Sequence, residues 1–286
     1  MKKFIYVFII MIFTMCTTGC FTNDNMEDIK IVTSDYPNEY LANYLYGTKS
    51  TITKIYPNDV EISKYKLTNK IINDTANKDL FIYNGLGNSR DIAMALLSKN
   101  SKMKIIDSTY GMSSSSNVTE SYLNPSNLLM MAKNIKTGLE EYIINQNLKD
   151  NIDSKYEKLE VIISELDAQI KTIASNSVNK NLVVSDNSLN WLSKYGFTVY
   201  DLSSNLTDKE KEIIYNLYDN DDISYLIFVT GSKENSIIKD LNDNHHAETI
   251  EFNRLDNIKE EDEKNKLDFI SIYNNNLEIL KKELFE

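Results

Sequence analysis

The chain has two cysteines, Cys16 and Cys20, and none after residue 20. That excludes a disulfide framework, a thiolate metal site and a cysteine nucleophile from the body of the protein. Glycine (8) and proline (3) are scarce, which argues against a turn-rich all-β fold. Histidine is nearly absent, and His245 and His246 are adjacent. Neighbouring histidines on a strand or loop diverge, so they rarely chelate one ion, and this pair reads as surface residues ahead of a last strand. Basic residues are outnumbered, 31 against 42 acidic, for a net charge of −11. That balance argues against nucleic acid and anionic membrane surfaces as partners. No P-loop, GxSxG, HExxH or CxxC pattern occurs, so no enzyme signature is present. Gly85-Leu86-Gly87 lacks the third glycine of a dinucleotide fingerprint and reads as the turn after a strand.

What is present starts with a leader. Lys2 and Lys3 precede an apolar run from Phe4 to Met15. The run is shorter than the roughly 20 residues a membrane span needs and suits a secretory signal over residues 1–19. Thr17-Thr18-Gly19-Cys20 resembles a bacterial lipobox, with Thr17 where leucine is usual. Cys20 is the expected lipidation site, and residues 20–28 read as a polar tether.

From Asn151 to Asn176, Ile152, Tyr156, Leu159, Ile162, Ile163, Leu166, Ile170 and Ile173 recur at helical spacing, with no Gly or Pro between them. On either side, short apolar runs alternate with helical segments. Ile29–Ser34, Thr51–Tyr56, Leu80–Tyr83 and Met103–Asp107 read as strands before it. Leu182–Ser185, Phe197–Asp201, Tyr225–Val229 and Thr249–Phe252 read as strands after it. Strands alternating with helices predict βαβ units and mostly parallel sheets. The fold class is therefore α/β: an N-terminal lobe at 29–150, a linking helix at 151–176 and a C-terminal lobe at 177–286. Lys259 to Lys266 is charge-dense and reads as a solvated loop. Ligands of parallel sheets bind beyond the strands' C-terminal ends, which directs attention to 57–67, 84–90, 107–124, 185–190, 230–234 and 253–258. The Ser-rich stretch Gly111–Ser116 reads as a mobile rim.

The order of segments resembles the zinc/manganese-type solute-binding lipoproteins of bacterial ABC transporters. The stretches that carry the resemblance are Lys54–Thr68 with Tyr65-Lys66-Leu67-Thr68, Asp79–Gly85, Ile105-Ile106-Asp107, Tyr122-Leu123-Asn124-Pro125, Tyr156-Glu157-Lys158-Leu159 with Leu166-Asp167, Val183-Val184-Ser185 with Trp191 and Tyr195-Gly196, and Asp268 to Leu280. The resemblance implies two lobes on one rigid helix, a metal held in the cleft between them, a permease partner and a monomer lipid-anchored at the cell surface. It places the ligand positions at Ser63, Glu120, Asp186 and Asn253, with a further position at Thr230. None of these is histidine, and the family's His-rich loop is absent.

Zn²⁺ favours imidazole and thiolate ligands, whereas an oxygen-only set suits Mn²⁺, Mg²⁺ or Ca²⁺. Three outcomes stay open: a harder cation on Glu120 and Asp186; an organic or chelated solute walled by Tyr110, Tyr122 and Trp191; or a vestigial site on an adhesin that no longer binds metal.

Overall fold

The computed structural model describes residues 26–113 and 117–285. The signal segment, Cys20 and Ser114–Ser116 of the rim lie outside them.

The chain folds as two four-stranded parallel sheets flanked by helices. In the N-terminal lobe, β1 (Ile29–Thr33), β2 (Ser50–Lys54), β3 (Leu80–Tyr83) and β4 (Lys104–Asp107) lie in the order β2-β1-β3-β4. The helices α1 (Tyr36–Tyr46), α2 (Asn69–Ala76) and α3 (Ser89–Lys99) make the crossovers. In the C-terminal lobe, β5 (Asn181–Val184), β6 (Thr198–Asp201), β7 (Tyr225–Val229) and β8 (Glu248–Phe252) repeat the pattern as β6-β5-β7-β8. Between the sheets come α4 (Glu120–Leu123), α5 (Pro125–Tyr142) and the long α6 (Gln146–Asn176). A 3-10 helix (Asn187–Tyr195), α7 (Asp208–Asp219), α8 (Ser236–Asn244), α9 (Glu260–Lys264) and α10 (Phe269–Phe285) complete the chain. No described helix is long and apolar enough to cross a membrane.

Strand alternation explains the layering. Ile31, Leu80 and Ile82 face an inner core, whereas Val32, Phe81 and Tyr83 face an outer one. Leu182, Val184, Ile227 and Val229 face the same inner core, with Val183 and Leu226 opposite. Central strands of a parallel sheet are buried on both sides, hence their unbroken apolar runs. The long helix joins this inner core: Ile152, Leu159, Ile163, Leu166, Ile170 and Ile173 pack in one cluster with strands of both sheets and with Phe269 and Tyr273 of α10. Its 31 residues span about 46 Å at 1.5 Å per residue. The strut between the lobes is thus also the centre of a core they share.

Local chemistry sets the ends. Asn145 caps α6, its side chain accepting from the Asn147 amide, so the helix starts five residues before the apolar periodicity becomes regular. Asp186 caps the 3-10 helix and Gly196, at φ 92°, ends it in the left-handed region. The turn at Gly85 needs glycine for room, since a Cβ there would lie 2.2 Å from the Asp107 carboxylate.

Three expectations are corrected. Residues 260–264 form α9 and not a loop; four acidic residues in its first turn complement the helix dipole. The tether is packed from Met26 onward: Met26 is fully buried, and its carbonyl accepts from the Tyr46 hydroxyl at 2.8 Å. The linking helix, expected from residue 151, begins at Gln146.

Candidate functional site

The C-terminal strand ends of both sheets open onto one cleft between the lobes, as parallel-sheet geometry requires. A cavity of about 540 Å³ lies there. The N-terminal lobe contributes Asp35 after β1, Tyr56 and Asp59 to Ser63 after β2, Asn84 and Asn88 after β3, and Val118, Thr119 and Tyr122 after β4. The C-terminal lobe contributes Thr230 and Gly231 after β7 and Asn253, Arg254 and Asp256 to Lys259 after β8. Hydrogen bonds tie the lobes along one edge of the cleft. The Tyr36 amide donates to the Asp256 carbonyl at 3.1 Å, and Asn257 Nδ2 donates to the carbonyls of Pro57 and Val60 at 2.8 and 3.0 Å.

The expected ligand positions separate into two groups. Ser63 and Asn253 line the cavity, one from each lobe. The Ser63 hydroxyl donates to Glu61 Oε1 at 2.7 Å, and the Asn253 side-chain oxygen accepts the Leu255 amide at 2.9 Å. Thr230 also lines the cavity. Glu120 and Asp186 are outside its lining. Glu120 starts α4, and its Oε1 lies 2.7 Å from Lys194 Nζ, joining the two lobes at another place. Asp186 Oδ2 lies 2.6 Å from Nη2 of Arg254. Among the described residues, no three of His, Cys, Asp and Glu are grouped so as to hold a metal ion.

Of the expected walls, only Tyr122 lines the cavity. Trp191 is 4% exposed within the inner core, stacked edge-on against Tyr195, and Tyr110 is exposed outside the cleft. His245 does not stand free on the surface. Its Nδ1 lies 2.7 Å from Asp219 Oδ1 and its ring stacks on Tyr215.

Three cleft groups escaped the sequence reading: Asp35, Asp256 and Arg254. Asp35 caps α1 and is almost fully buried. Burial pushes its carboxyl up to about 6, against hydrogen bonds from Ser34 and Asn38 that pull it down. Burial also raises Asp256, with Arg254 opposing. For Asp186, burial would raise the carboxyl, but hydrogen bonds from Ser188 and Ser232 and the charge of Arg254 hold it below its ordinary value. Arg254 and Asp256 fell within an inspected loop but carried no motif. Asp35 sits at a strand's C-terminal end, the signal that could have found it. The site as arranged is a cleft with carboxyls on both walls, the Arg254 guanidinium and the Lys259 ammonium, and apolar wall from Val60, Ile62, Val118 and Ile258.

The sequence matches the model of the ZnuA family, described as zinc-uptake complex component A, periplasmic, over residues 31–283. The chain belongs to this family. The family is one of solute-binding proteins of metal uptake. Among solved structures, the metal-dependent lipoprotein YcdH of Bacillus subtilis aligns at a TM-score of 0.76 and 18% identity, covering 91% of this chain and 100% of that one. The Zn(II)-bound ZnuA-like domain of AdcA from Streptococcus pneumoniae aligns at 0.75 and 19%, covering 91% and 100%. The laminin-binding protein Lmb of Streptococcus agalactiae, described as having adhesin and metal-transporting activity, aligns at 0.72 and 14%, covering 89% and 99%. At these identities the likeness is one of fold. A comparison with curated proteins finds no match.

Proposed function

We propose that this chain is the solute-receiving lipoprotein of an ABC transporter for metal uptake. It is held outside the membrane by a lipid on Cys20, binds cargo in the interlobe cleft and passes it to a permease. It acts by binding and not by catalysis. The observation that supports this most is the cleft itself: both lobes contribute it from the ends of parallel strands, with Ser63 on one wall and Asn253 on the other.

The cargo class that follows from the family is a divalent metal ion. Among the described residues the cleft lining offers carboxylate, hydroxyl and amide oxygens and no imidazole or thiolate, which suits Mn²⁺ better than Zn²⁺. As arranged, the donors do not fit a metal ion: Glu120 is engaged by Lys194 and Asp186 by Arg254. For these two carboxylates to join Ser63 and Asn253 around a cation, each must first leave its basic partner. A cavity of about 540 Å³ also falls in the range of small-molecule sites, roughly 300–1,000 Å³, which favours a chelated or organic solute as the second reading.

Thermal melting of the metal-stripped mature chain with Mn²⁺, Zn²⁺ or Mg²⁺ tests the proposal. A ligand at a hundredfold excess over its Kd adds about 2.7 kcal/mol. A clear upward shift with Mn²⁺ supports metal cargo. No shift with any divalent ion removes metal from the proposal.

A further inference from the structure

We infer that the interlobe cleft takes a small organic cation, its primary ammonium seated between the carboxyls of Asp35 and Asp256 and its apolar body against the aliphatic wall. The inference rests on the second reading of the cargo, an organic solute in this cleft.

The two carboxyls face the cavity from opposite lobes. The backbone sets the two residues side by side, since the Tyr36 amide donates to the Asp256 carbonyl at 3.1 Å. Tyr122 lies with them: burial pushes its hydroxyl up, and the charges of Asp256 and Asp35 push it further. Neutral donors hold Asp35. Its Oδ2 receives the Ser34 hydroxyl at 2.7 Å, and its Oδ1 receives the Asn38 amide at 3.0 Å and Asn38 Nδ2 at 2.8 Å. Of a carboxylate's roughly four acceptor positions, one is left, on Oδ2.

The basic groups of the wall are spent elsewhere. Arg254 lies 2.6 Å from Asp186, and its Nε donates to the Thr230 carbonyl at 2.7 Å. Lys259 lies 3.1 Å from Glu251. The other carboxylates of the lining are also engaged: Asp59 accepts the Glu260 amide at 3.1 Å, and Glu61 lies 2.6 Å from Lys64. Among the described residues, Asp35 and Asp256 enter no ion pair. Neighbouring carboxyls without a counter-charge repel each other, and a bound cation relieves that repulsion.

The cavity also sets the cation's kind. Among the described residues, no third His, Cys, Asp or Glu joins this pair to hold a metal ion. An ammonium needs only oxygens to accept its N–H groups, and these two carboxyls supply them. The remainder of the roughly 540 Å³ is bounded in part by Val60, Ile62, Val118 and Ile258, a surface for hydrocarbon.

The test is calorimetric titration of the metal-stripped mature chain at neutral pH. Phenethylammonium is the cationic probe, hydrocinnamate and phenethyl alcohol are anionic and neutral probes of like size, and Mn²⁺ is titrated separately. Wild type is compared with Asp35→Asn and Asp256→Asn, and melting of each without ligand checks folding. Phenethylammonium is expected to bind at least about tenfold tighter than the other two organic probes, and each variant to lose about tenfold for the ammonium alone. If Asp256→Asn does not fold, Asp35→Asn decides. Folded variants that bind the ammonium as tightly as wild type overturn the inference. Binding of the alcohol or hydrocinnamate as tight as that of the ammonium also overturns it, while leaving an organic solute standing. Heat from Mn²⁺ with none from any organic probe overturns the inference and the second reading together and leaves metal cargo standing. No heat from any probe overturns the inference as well.

Discussion

The Tyr195 hydroxyl donates a 2.6 Å hydrogen bond to Asp167 Oδ1, fastening the end of the C-terminal lobe's 3-10 helix to the long helix α6. Lys171 lies 2.6 Å from the other oxygen of Asp167. Burial would raise this carboxyl, but the hydrogen bonds from Lys171 and Tyr195 outweigh it and hold it low. A carboxyl held below its unfolded value contributes stability above about pH 3.9, lost as pH falls through the folded pKa. Tyr195→Phe is therefore expected to cost about 1 kcal/mol at pH 7. The cost should shrink once acid protonates Asp167. Urea unfolding of both proteins at neutral and acid pH checks this, and an equal cost at both would contradict it.

Asp35 predicts the opposite sign. Its folded carboxyl stands at about 6, above the unfolded value. The folded state then holds a proton that the unfolded state has lost, so stability falls as pH rises from about 4 through about 6. Asparagine caps helices about as well as aspartate. Asp35→Asn is expected to stabilise the protein by roughly 1–3 kcal/mol at pH 7.5 and to flatten the curve in that window. Melting temperatures across pH 4 to 8 provide the measurement. Destabilisation at pH 7.5 would mean that the ionised carboxylate is itself used by the fold.

The shared inner core predicts one cooperative transition. Ile163 is 1% exposed and packs in the cluster that includes strands of both sheets. Ile163→Ala should cost about 2–5 kcal/mol, with both lobes unfolding together. Trp191, the one tryptophan, reports on the C-terminal lobe, whereas far-UV circular dichroism reports on the whole chain. The two transitions should coincide in wild type and variant. Separate midpoints would contradict a continuous core.

The parts of the fold legible in the sequence were those governed by period. Unbroken apolar runs such as Leu80–Tyr83 and Leu182–Val184 mark strands buried on both faces. The three-and-four spacing from Ile152 to Ile173 marks the long helix. Short charged elements carry no such period, so α9 read as a loop, although its acidic first turn suits a helix N-terminus. The site was less legible because its groups meet only in the folded chain. Asp186 and Arg254 are 68 residues apart in sequence, and nothing local to either predicts their pairing. Residue type alone also could not separate Trp191 in the core from Tyr122 at the cleft.

The continuous strut and the hydrogen bonds between the 57–60 and 256–258 loops leave no built-in hinge. A bound structure should therefore differ from the free one locally, around Gly111–Pro125 and Ser185–Asn190. A large rigid-body rotation of one lobe against the other would contradict this.

The most direct test of cargo capture is to locate the ion. Crystals of the mature chain grown with Mn²⁺ would be measured for manganese anomalous scattering. A single strong peak inside the cleft, between the walls that carry Ser63 and Asn253, is predicted. No peak in the cleft, or a peak only at the outer pair of His245 and Asp219, would contradict the account.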